Sequence, residues 1–397
     1  MNYYILPKNN LNIDIFLFLN PAQVKPFISY SLINYLNDIY TNLLKLEEAA
    51  NTNSITIEYI NKIVNPFEFI HTNVPGTILS VSKVKPESTL FFDLMEIFQI
   101  CNITDILYPK NKINIANFTH NFTSTNYLLN MLREDNEDTI INEFFDFEIL
   151  CEKYIKNTNT SMPKWSMDLL IFEFKDEDYI NTKQYIKNIL LTFYIIVKYQ
   201  ANNGTCIIKF DNIFHKVIID VILMLTGIYE KVYLIKPTIS KITKGERYII
   251  CKDLDFEIMH KMNIFNQLEE KLKDYLIDSY DIHNQTFNVN PNVNLNQNIH
   301  SFLRNDIPYY FLNKIEESNA VIGQQQLESY DQIINIFKNK NKEDKVESLK
   351  RNHIQKCIQW CEKNQIPHNK FTDKINIFLN TKRRECEEGL KYMDPII

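Results

Sequence analysis

Two charged residues stand where apolar ones are the rule: Lys209 in T-C-I-I-K-F and Glu246 in K-G-E-R-Y-I-I-C-K. Thr205 to Phe210 reads as a short buried strand, β-branched and entered through a Gly turn, with Lys209 the one charge inside it. Glu246 opens a later apolar run. A lysine in one strand and a glutamate at the mouth of another are what proton handling at a sheet edge needs. An amine takes a proton when burial or a neighbouring cation lowers its pKa, and a carboxylate orients it. Lys209 also has a purely structural reading, with its ammonium snorkelling to the edge of the sheet.

The elements that must position these two residues follow from the same stretch. A helix-length apolar run, Phe214 to Leu225, is broken at Gly227. Lys231 to Ile235 and Arg247 to Cys251 make two further strands, and the Pro- and Gly-bounded loop K-P-T-I-S-K-I-T-K-G-E between them delivers Glu246 to the last one. Upstream, Asp168 to Phe174 is a strong buried strand with Glu173 near its C-terminal end, and Thr182 to Tyr199 is a helix. The resulting β-α-β alternation predicts an α/β, doubly wound, mostly parallel sheet.

The segments G-T-C-I-I-K-F, E-K-V-Y-L-I-K-P and S-x-x-x-x-G-E-R-Y-I-I-C-K, all between Asn202 and Lys252, resemble the C-terminal half of the FtsJ-like ribose 2′-O-methyltransferases. The nearest branch is the cap-methylating adrift type and its relatives in large DNA viruses. The resemblance implies a Rossmann-like methyltransferase fold over about residues 61–255, with the final strand antiparallel. It implies S-adenosylmethionine as cofactor and RNA, capped message above all, as partner. It also implies four catalytic residues: Lys45, Glu173, Lys209 and Glu246. Lys45 sits in a T-x-x-x-K-x-x-E setting on a helix, where pattern alone gives a solvated lysine. Glu173 takes the place of a family Asp, which moves the carboxylate outward by roughly one bond length, about 1.5 Å. The cofactor loop falls at Asn73-Val74-Pro75-Gly76-Thr77, after a first parallel strand at Phe67 to Thr72. There Asn73 replaces the family's acid and Thr77 its second glycine, leaving Asn73, Pro75, Gly76 and Thr77 as cofactor-binding candidates.

Bulk properties bound the rest. With 397 residues, 45% of them hydrophobic and 13% aromatic, the chain builds a substantial core, which excludes global disorder. A net charge of −6 does not advertise nucleic-acid binding, so an RNA groove has to be a local basic patch. Seven scattered cysteines point to free thiols in a reducing compartment. No stretch reaches the roughly 18 apolar residues of a membrane span, and no secretory signal opens the chain. The expectation is a soluble cytoplasmic protein, in host cytoplasm or virion if the viral kinship holds.

In chain order, residues 1–60 read as a mostly helical segment, with a stripe from Ile28 to Leu46. Leu90 to Ile106 continues as a strand–helix-like pattern, and Ile106-Leu107-Tyr108-Pro109 matches a short family signature. The Asn-rich stretch 110–126 reads as loop, Arg133 to Asp138 as a solvated turn, and Phe144 to Tyr154 as helix. Residues 256–397 read as a helical appendage: an amphipathic helix from Phe256 to Ile277, an Asn-rich linker from Gln285 to Asn298, two helices between Phe302 and Phe337, a charged run from Asn339 to Asn352, and helices at His353 to Glu362 and Lys374 to Lys391. His353, Cys357 and Cys361, with His368 beyond, do not have a common zinc spacing and read as a buried helix face, so no metal is expected.

Two functional classes stay open. One is an RNA ribose 2′-O-methyltransferase acting on cap-proximal nucleotides. The other is a catalytically inactive methyltransferase-fold subunit that scaffolds a capping or transcription complex through a protein partner on the C-terminal helices.

Overall fold

The computed structural model describes residues 2–10, 13–49, 57–107, 109–133, 136–156, 162–281, 297–339 and 343–371. Strands β1 (Asn2–Leu6) and β2 (Ile15–Asn20) are followed by helices α1 (Tyr30–Ala49) and α2 (Ile57–Val64), a 3-10 turn at Glu68–Ile70, α3 (Leu90–Ile100) and α4 (Ile103–Leu107). Then come β3 (Asn114–Phe118), α5 (Phe122–Arg133), β4 (Thr139–Glu143), α6 (Phe147–Leu150) with a π turn to Ile155, β5 (Met167–Phe172), α7 (Asp176–Ile180) and α8 (Thr182–Tyr199). The chain continues through β6 (Gln200–Phe210), α9 (Lys216–Ile228), β7 (Tyr229–Lys236), β8 (Arg247–Leu254), α10 (Phe256–Lys261), α11 (Ile264–Lys271) and α12 (Lys273–Asp281). It ends, as described, with β9 (Asn298–Leu303), α13 (Tyr309–Lys338) and α14 (Glu343–Lys363). The Gln285–Asn298 linker lies mostly outside the described residues, and the Lys374–Lys391 helix and Tyr108 lie outside them altogether.

The chain divides into two units, each discontinuous in sequence. The first takes residues 1–35, 97–237 and 245–324; the second takes 36–96, 238–244 and 325–397. In sequence the expected boundaries lie at 60 and 255.

The first unit holds a seven-stranded sheet in the order β1-β7-β8-β6-β5-β3-β4. Strands β4, β3, β5 and β6 are parallel neighbours, β8 is antiparallel to both β6 and β7, and β1 is antiparallel to β7. Five strands therefore run one way, and β8 is inserted against them. With its flanking helices this is a mostly parallel, doubly wound α/β sheet of the Rossmann-like kind, and the antiparallel insertion lies where the resemblance puts it. The reason is legible in β5 and β6, whose near-continuous apolar runs suit strands covered on both faces. Helix α9 is buried from Val217 to Ile228, as a helix apolar on all sides must be. It runs through Gly227 rather than breaking there. A Cβ on Gly227 would meet Ile13 Cδ1 at 2.8 Å, so the glycine makes room for a close approach.

Several expectations are overturned, each for a physical reason. The first parallel strand is β3, not Phe67 to Thr72. That earlier stretch forms a helical turn, in which His71 and Thr72 donate to Glu68 O and the buried Glu68 carboxylate accepts from Asn65 Nδ2 at 2.9 Å. Strand β3 hides in the Asn-rich segment read as loop, since asparagine is depleted from strands. Its amide nitrogens are taken up by neighbours: Asn114 Nδ2 donates to Ser166 O at 3.0 Å and Asn117 Nδ2 to Asn142 Oδ1 at 3.1 Å. The N-terminal segment begins with strands β1 and β2, and β2 pairs with β9 in a small second sheet. Leu90 to Ile106 is helical, and Tyr309 to Lys338 is one helix of 30 residues rather than two.

Arg133 and Asp138 are not a solvated turn. Arg133 is buried and donates to both Asp138 oxygens, from Nε at 2.6 Å and Nη2 at 2.9 Å, while Nη2 also reaches Lys110 O at 2.8 Å. Burial pushes the Asp138 carboxyl up, but the Arg133 hydrogen bonds and the Ile113 amide more than offset this and hold it below the ordinary aspartate value. Arg133→Ala leaves a desolvated carboxylate at the root of β3 and should cost about 3 kcal/mol, measured as a lowered urea midpoint. A depressed carboxyl stabilises above the ordinary aspartate range and loses that contribution as pH falls through its folded value. The gap between wild type and variant should therefore close in acid.

In the second unit, the Glu96 carboxylate accepts from Thr238 N at 3.1 and 3.0 Å, from Thr238 Oγ1 at 2.6 Å and from Trp360 Nε1 at 3.3 Å. His353, Cys357 and Cys361 form a buried face of α14. His353 Nδ1 contacts Ile63 O at 2.9 Å, Cys357 Sγ reaches Pro66 O at 3.5 Å, and burial pushes the Cys361 thiol up to about 12. Among the described residues no helix is long and apolar enough to cross a membrane.

Candidate functional site

Three of the four residues that the resemblance implies as catalytic lie together in the first unit. Glu173 directly follows β5, Lys209 is the penultimate residue of β6, and Glu246 immediately precedes β8. Because β8 runs antiparallel to β6, its start lies beside the end of β6: Phe210 faces Arg247 and Lys209 faces Tyr248 in the ladder. Lys209 Nζ donates to Glu173 Oε1 at 2.9 Å and lies 3.3 Å from Glu246 Oε2. The three side chains are only 11–12% exposed, so the ammonium sits between two carboxylates largely away from water.

That arrangement sets the protonation state of Lys209. Burial pulls its pKa down, but Tyr248, Glu246 and Glu173 more than compensate and hold it well above the ordinary lysine value. A lysine base requires the opposite shift. As it stands, Lys209 is an ammonium at neutral pH, a donor and a charge rather than a proton acceptor.

The backbone around this cluster is pinned from several sides. Glu173 N donates to Phe118 O at 3.0 Å, tying the ends of β5 and β3 together. Tyr179 O–H donates to Lys209 O at 3.2 Å and accepts from Phe174 N at 3.2 Å. Its ring packs among Phe174 and Tyr185, with centroids 5.5 and 5.4 Å away. Lys236 Nζ donates to Glu246 O at 3.0 Å and Arg247 Nε to Gly245 O at 2.9 Å, so two cations grip the backbone on either side of Glu246. Tyr179, Lys236 and Arg247 were missed in the sequence. A lysine closing a strand in I-K-P and an arginine opening one in G-E-R-Y were the available signals.

Lys45 belongs to the second unit and is exposed on α1. The proposed cofactor loop also belongs to that unit. Val74-Pro75-Gly76-Thr77 is a type II turn: Thr77 N donates to Val74 O at 2.9 Å, Pro75 supplies the fixed φ, and Gly76 has φ 81°. Thr77 Oγ1 is 3.0 Å from both Val74 O and Leu79 O, and Asn73 is exposed. Turn chemistry thus accounts for the Pro-Gly pair, and no strand leads into it.

Open α/β sheets take ligands at the C-terminal strand ends where the winding reverses. Here β3 leads outward to β4 and the chain then returns to β5 on the other side of β3, so the reversal lies between the ends of β3 and β5. Near it, Asn117 Oδ1, Thr119 Oγ1 and Thr125 Oγ1 are buried without a hydrogen-bond partner. Unpaired buried polar groups are costly and call for a partner, so these three fit a ligand that brings polar atoms, as the methionine portion of S-adenosylmethionine would. The backbone there is less accommodating, since no glycine occurs between Gly76 and Gly204. At the end of β4, Glu143 is engaged by Lys153 and Tyr154.

No family model matches the chain, and no curated protein does. Among solved structures, the chain is similar to one assigned as a ribosomal RNA methyltransferase of Plasmodium falciparum, at 13% identity and TM-score 0.32, over 42% of this chain and 97% of that one. It is also similar to one assigned as a spermidine synthase of Corynebacterium glutamicum, at 11% identity and TM-score 0.29, over 54% of this chain and 88% of that one. Likeness at this level gives no warrant for transferring either activity.

Proposed function

We propose that the chain is an S-adenosylmethionine-dependent RNA ribose 2′-O-methyltransferase whose substrate is capped message. The observation that carries this reading is the Glu173–Lys209–Glu246 cluster, with an ammonium held 2.9 and 3.3 Å from two carboxylates at the C-terminal edge of the sheet. When bound, the cofactor would supply an electrophilic methyl group, its methyl C–S bond breaking with the electron pair left on sulfur as the C–O bond forms, and Asn117, Thr119 and Thr125 would be the residues to hold it. The chain's own contribution is orientation and charge. The Lys209 ammonium donates to the ribose 2′-oxygen and stabilises negative charge gathering there. Glu173 or Glu246 accepts the hydroxyl proton as the new C–O bond forms, so no neutral lysine is needed. Aligning the two reactants supplies much of the remaining acceleration.

A second reading is favoured by a separate observation. The turn from β3 into α5 carries a side chain at every position, and no glycine opens the backbone to a ligand. On that reading the chain is a non-catalytic subunit that supports a capping or transcription complex, with a protein partner on the C-terminal helices.

Calorimetric titration with S-adenosylmethionine, paired with methyl transfer to capped and uncapped RNA, separates the two. Saturable binding with transfer to the 2′-oxygen is the expected result. Silence in both assays with cofactor in excess overturns the enzyme reading and leaves the scaffold.

A further inference from the structure

We infer that Asn319 of helix α13 is a positioning residue for the Glu173–Lys209–Glu246 cluster, acting through Arg247. Asn319 is 1% exposed, and its carboxamide is fully used. Its Oδ1 accepts from Arg247 Nη1 at 2.7 Å, and its Nδ2 donates to Ile213 O at 3.0 Å and to Ser29 Oγ at 3.3 Å. Arg247 is also 1% exposed, and its Nε holds Gly245 O at 2.9 Å. A buried guanidinium cannot be left unpaired cheaply, so the amide of Asn319 fixes the guanidinium, and the guanidinium fixes the peptide that enters Glu246. The other bond, to Ile213 O, ties the same side chain to the segment that follows Lys209.

Strand alternation gives this contact its position. Lys209 and Tyr248 face each other across the ladder, as do Phe210 and Arg247, and successive residues point to opposite faces. Lys209 and Arg247 therefore project to opposite sides of the same strand pair. One helical turn beyond Asn319, a Cβ on Gly323 would meet Leu32 Cδ1 at 2.4 Å, so α13 is seated closely against the start of α1. The segment that begins as a C-terminal appendage in sequence thus supplies a buried strut to the site.

The catalytic half of this inference rests on the methyl-transfer reading; its structural half does not, and the test has one arm for each. The first arm follows acylation of Lys209 against pH by mass spectrometry on the full chain. In wild type, Glu173, Glu246, Tyr248 and Tyr179 face the amine and keep it protonated and unreactive. Asn319→Ala frees Arg247, lets Glu246 drift, and should raise Lys209 labelling about tenfold at neutral pH, with the labelling profile shifted to lower pH. Asn319→Asp keeps the acceptor for Arg247 and should restore labelling to near wild type despite losing the bond to Ile213 O. Ser29→Ala, which removes only the 3.3 Å contact, should change nothing. If Asn319→Ala does not fold, Asn319→Ser carries the same comparison.

The second arm measures kcat and KM for RNA. Asn319→Ala should lose about a hundredfold in kcat with KM little changed, as a 1 Å misplacement does, and Asn319→Asp should recover most of it. Unchanged Lys209 labelling in Asn319→Ala, or an Asp variant as impaired as the Ala variant, overturns the inference. Absence of activity in wild type overturns the methyl-transfer reading alone, because the labelling arm is still read.

Discussion

Replacing Lys209 with alanine is expected, on the methyl-transfer reading, to lower kcat by about 10²–10³-fold and, unlike a typical active-site truncation, to destabilise the fold as well. On that reading the kinetic loss follows from removing the ammonium proposed to meet the ribose oxygen, an interaction made chiefly in the transition state, so it falls on kcat rather than KM. The stability loss follows from what remains. Glu173 and Glu246 approached a common ammonium at 2.9 and 3.3 Å in a site only 11–12% exposed, and without it they are desolvated carboxylates facing each other. Breaking a buried pair by deleting one partner costs about 3–5 kcal/mol. Lys209 itself has a raised folded pKa, so its stabilisation is complete below the ordinary lysine range and is lost only as pH rises through its higher folded value. The wild type should therefore be insensitive to this group across neutral pH. In the variant the two carboxylates repel, so acidification should recover part of the lost stability. Thermal melts of both proteins across pH, beside single-turnover kinetics, check the two expectations together. A variant as stable as wild type at pH 7 would mean that the carboxylates do not depend on the lysine.

Asp220→Ala should release β9 from helix α9. Asp220 is fully buried, and its carboxylate accepts from Lys216 Nζ at 2.8 and 3.0 Å, Ser301 Oγ at 3.0 Å, Phe302 N at 2.9 Å and Leu303 N at 3.3 Å. Alanine strands two buried backbone amides and takes the partner from a half-buried ammonium, which should cost about 3 kcal/mol. Asp220→Asn, which keeps one acceptor oxygen, should cost about 1–3 kcal/mol. Burial raises the Asp220 carboxyl above its ordinary value even though Lys216 and the hydrogen bonds pull it down. For a group raised in this way, stability increases as pH falls through the folded value toward the ordinary one. Because the chain has two units, a global unfolding midpoint averages over both. Hydrogen exchange on peptides spanning 298–303 reads the local effect. Protection of Phe302 and Leu303 equal to wild type in the alanine variant would refute it.

The cluster was legible because β5, β6 and β8 are local statements. An uninterrupted apolar run with a single charge at its end says both strand and edge, and Glu173, Lys209 and Glu246 each sit at such an end. Strand β3 was illegible for the converse reason. Its asparagines look like loop residues until Ser166 and Asn142 are in place to receive them, and those contacts exist only in the folded chain. The turn at Gly76 misled because Pro-Gly satisfies a type II turn wherever it occurs, with or without a cofactor. Arg247 and Asn319 lie 72 residues apart, and no local pattern joins them. The charge environment of Lys209 also had to be seen in space, since a carboxylate on each side reverses the protonation expected of a buried amine standing alone.

The small β2–β9 sheet bears on how the chain is made. Ile15 pairs with Leu303, 288 residues later, and β1 waits in the same way for β7. At about 5–20 residues per second, β2 leaves the ribosome roughly 15 to 60 s before its partner exists. Through that interval it presents Ile15, Phe16, Leu17, Phe18 and Leu19 on an unpaired edge, the kind of surface that recruits other strands. Synthesis rate and chaperone supply should therefore govern the yield of soluble chain more than the stability of the finished fold does.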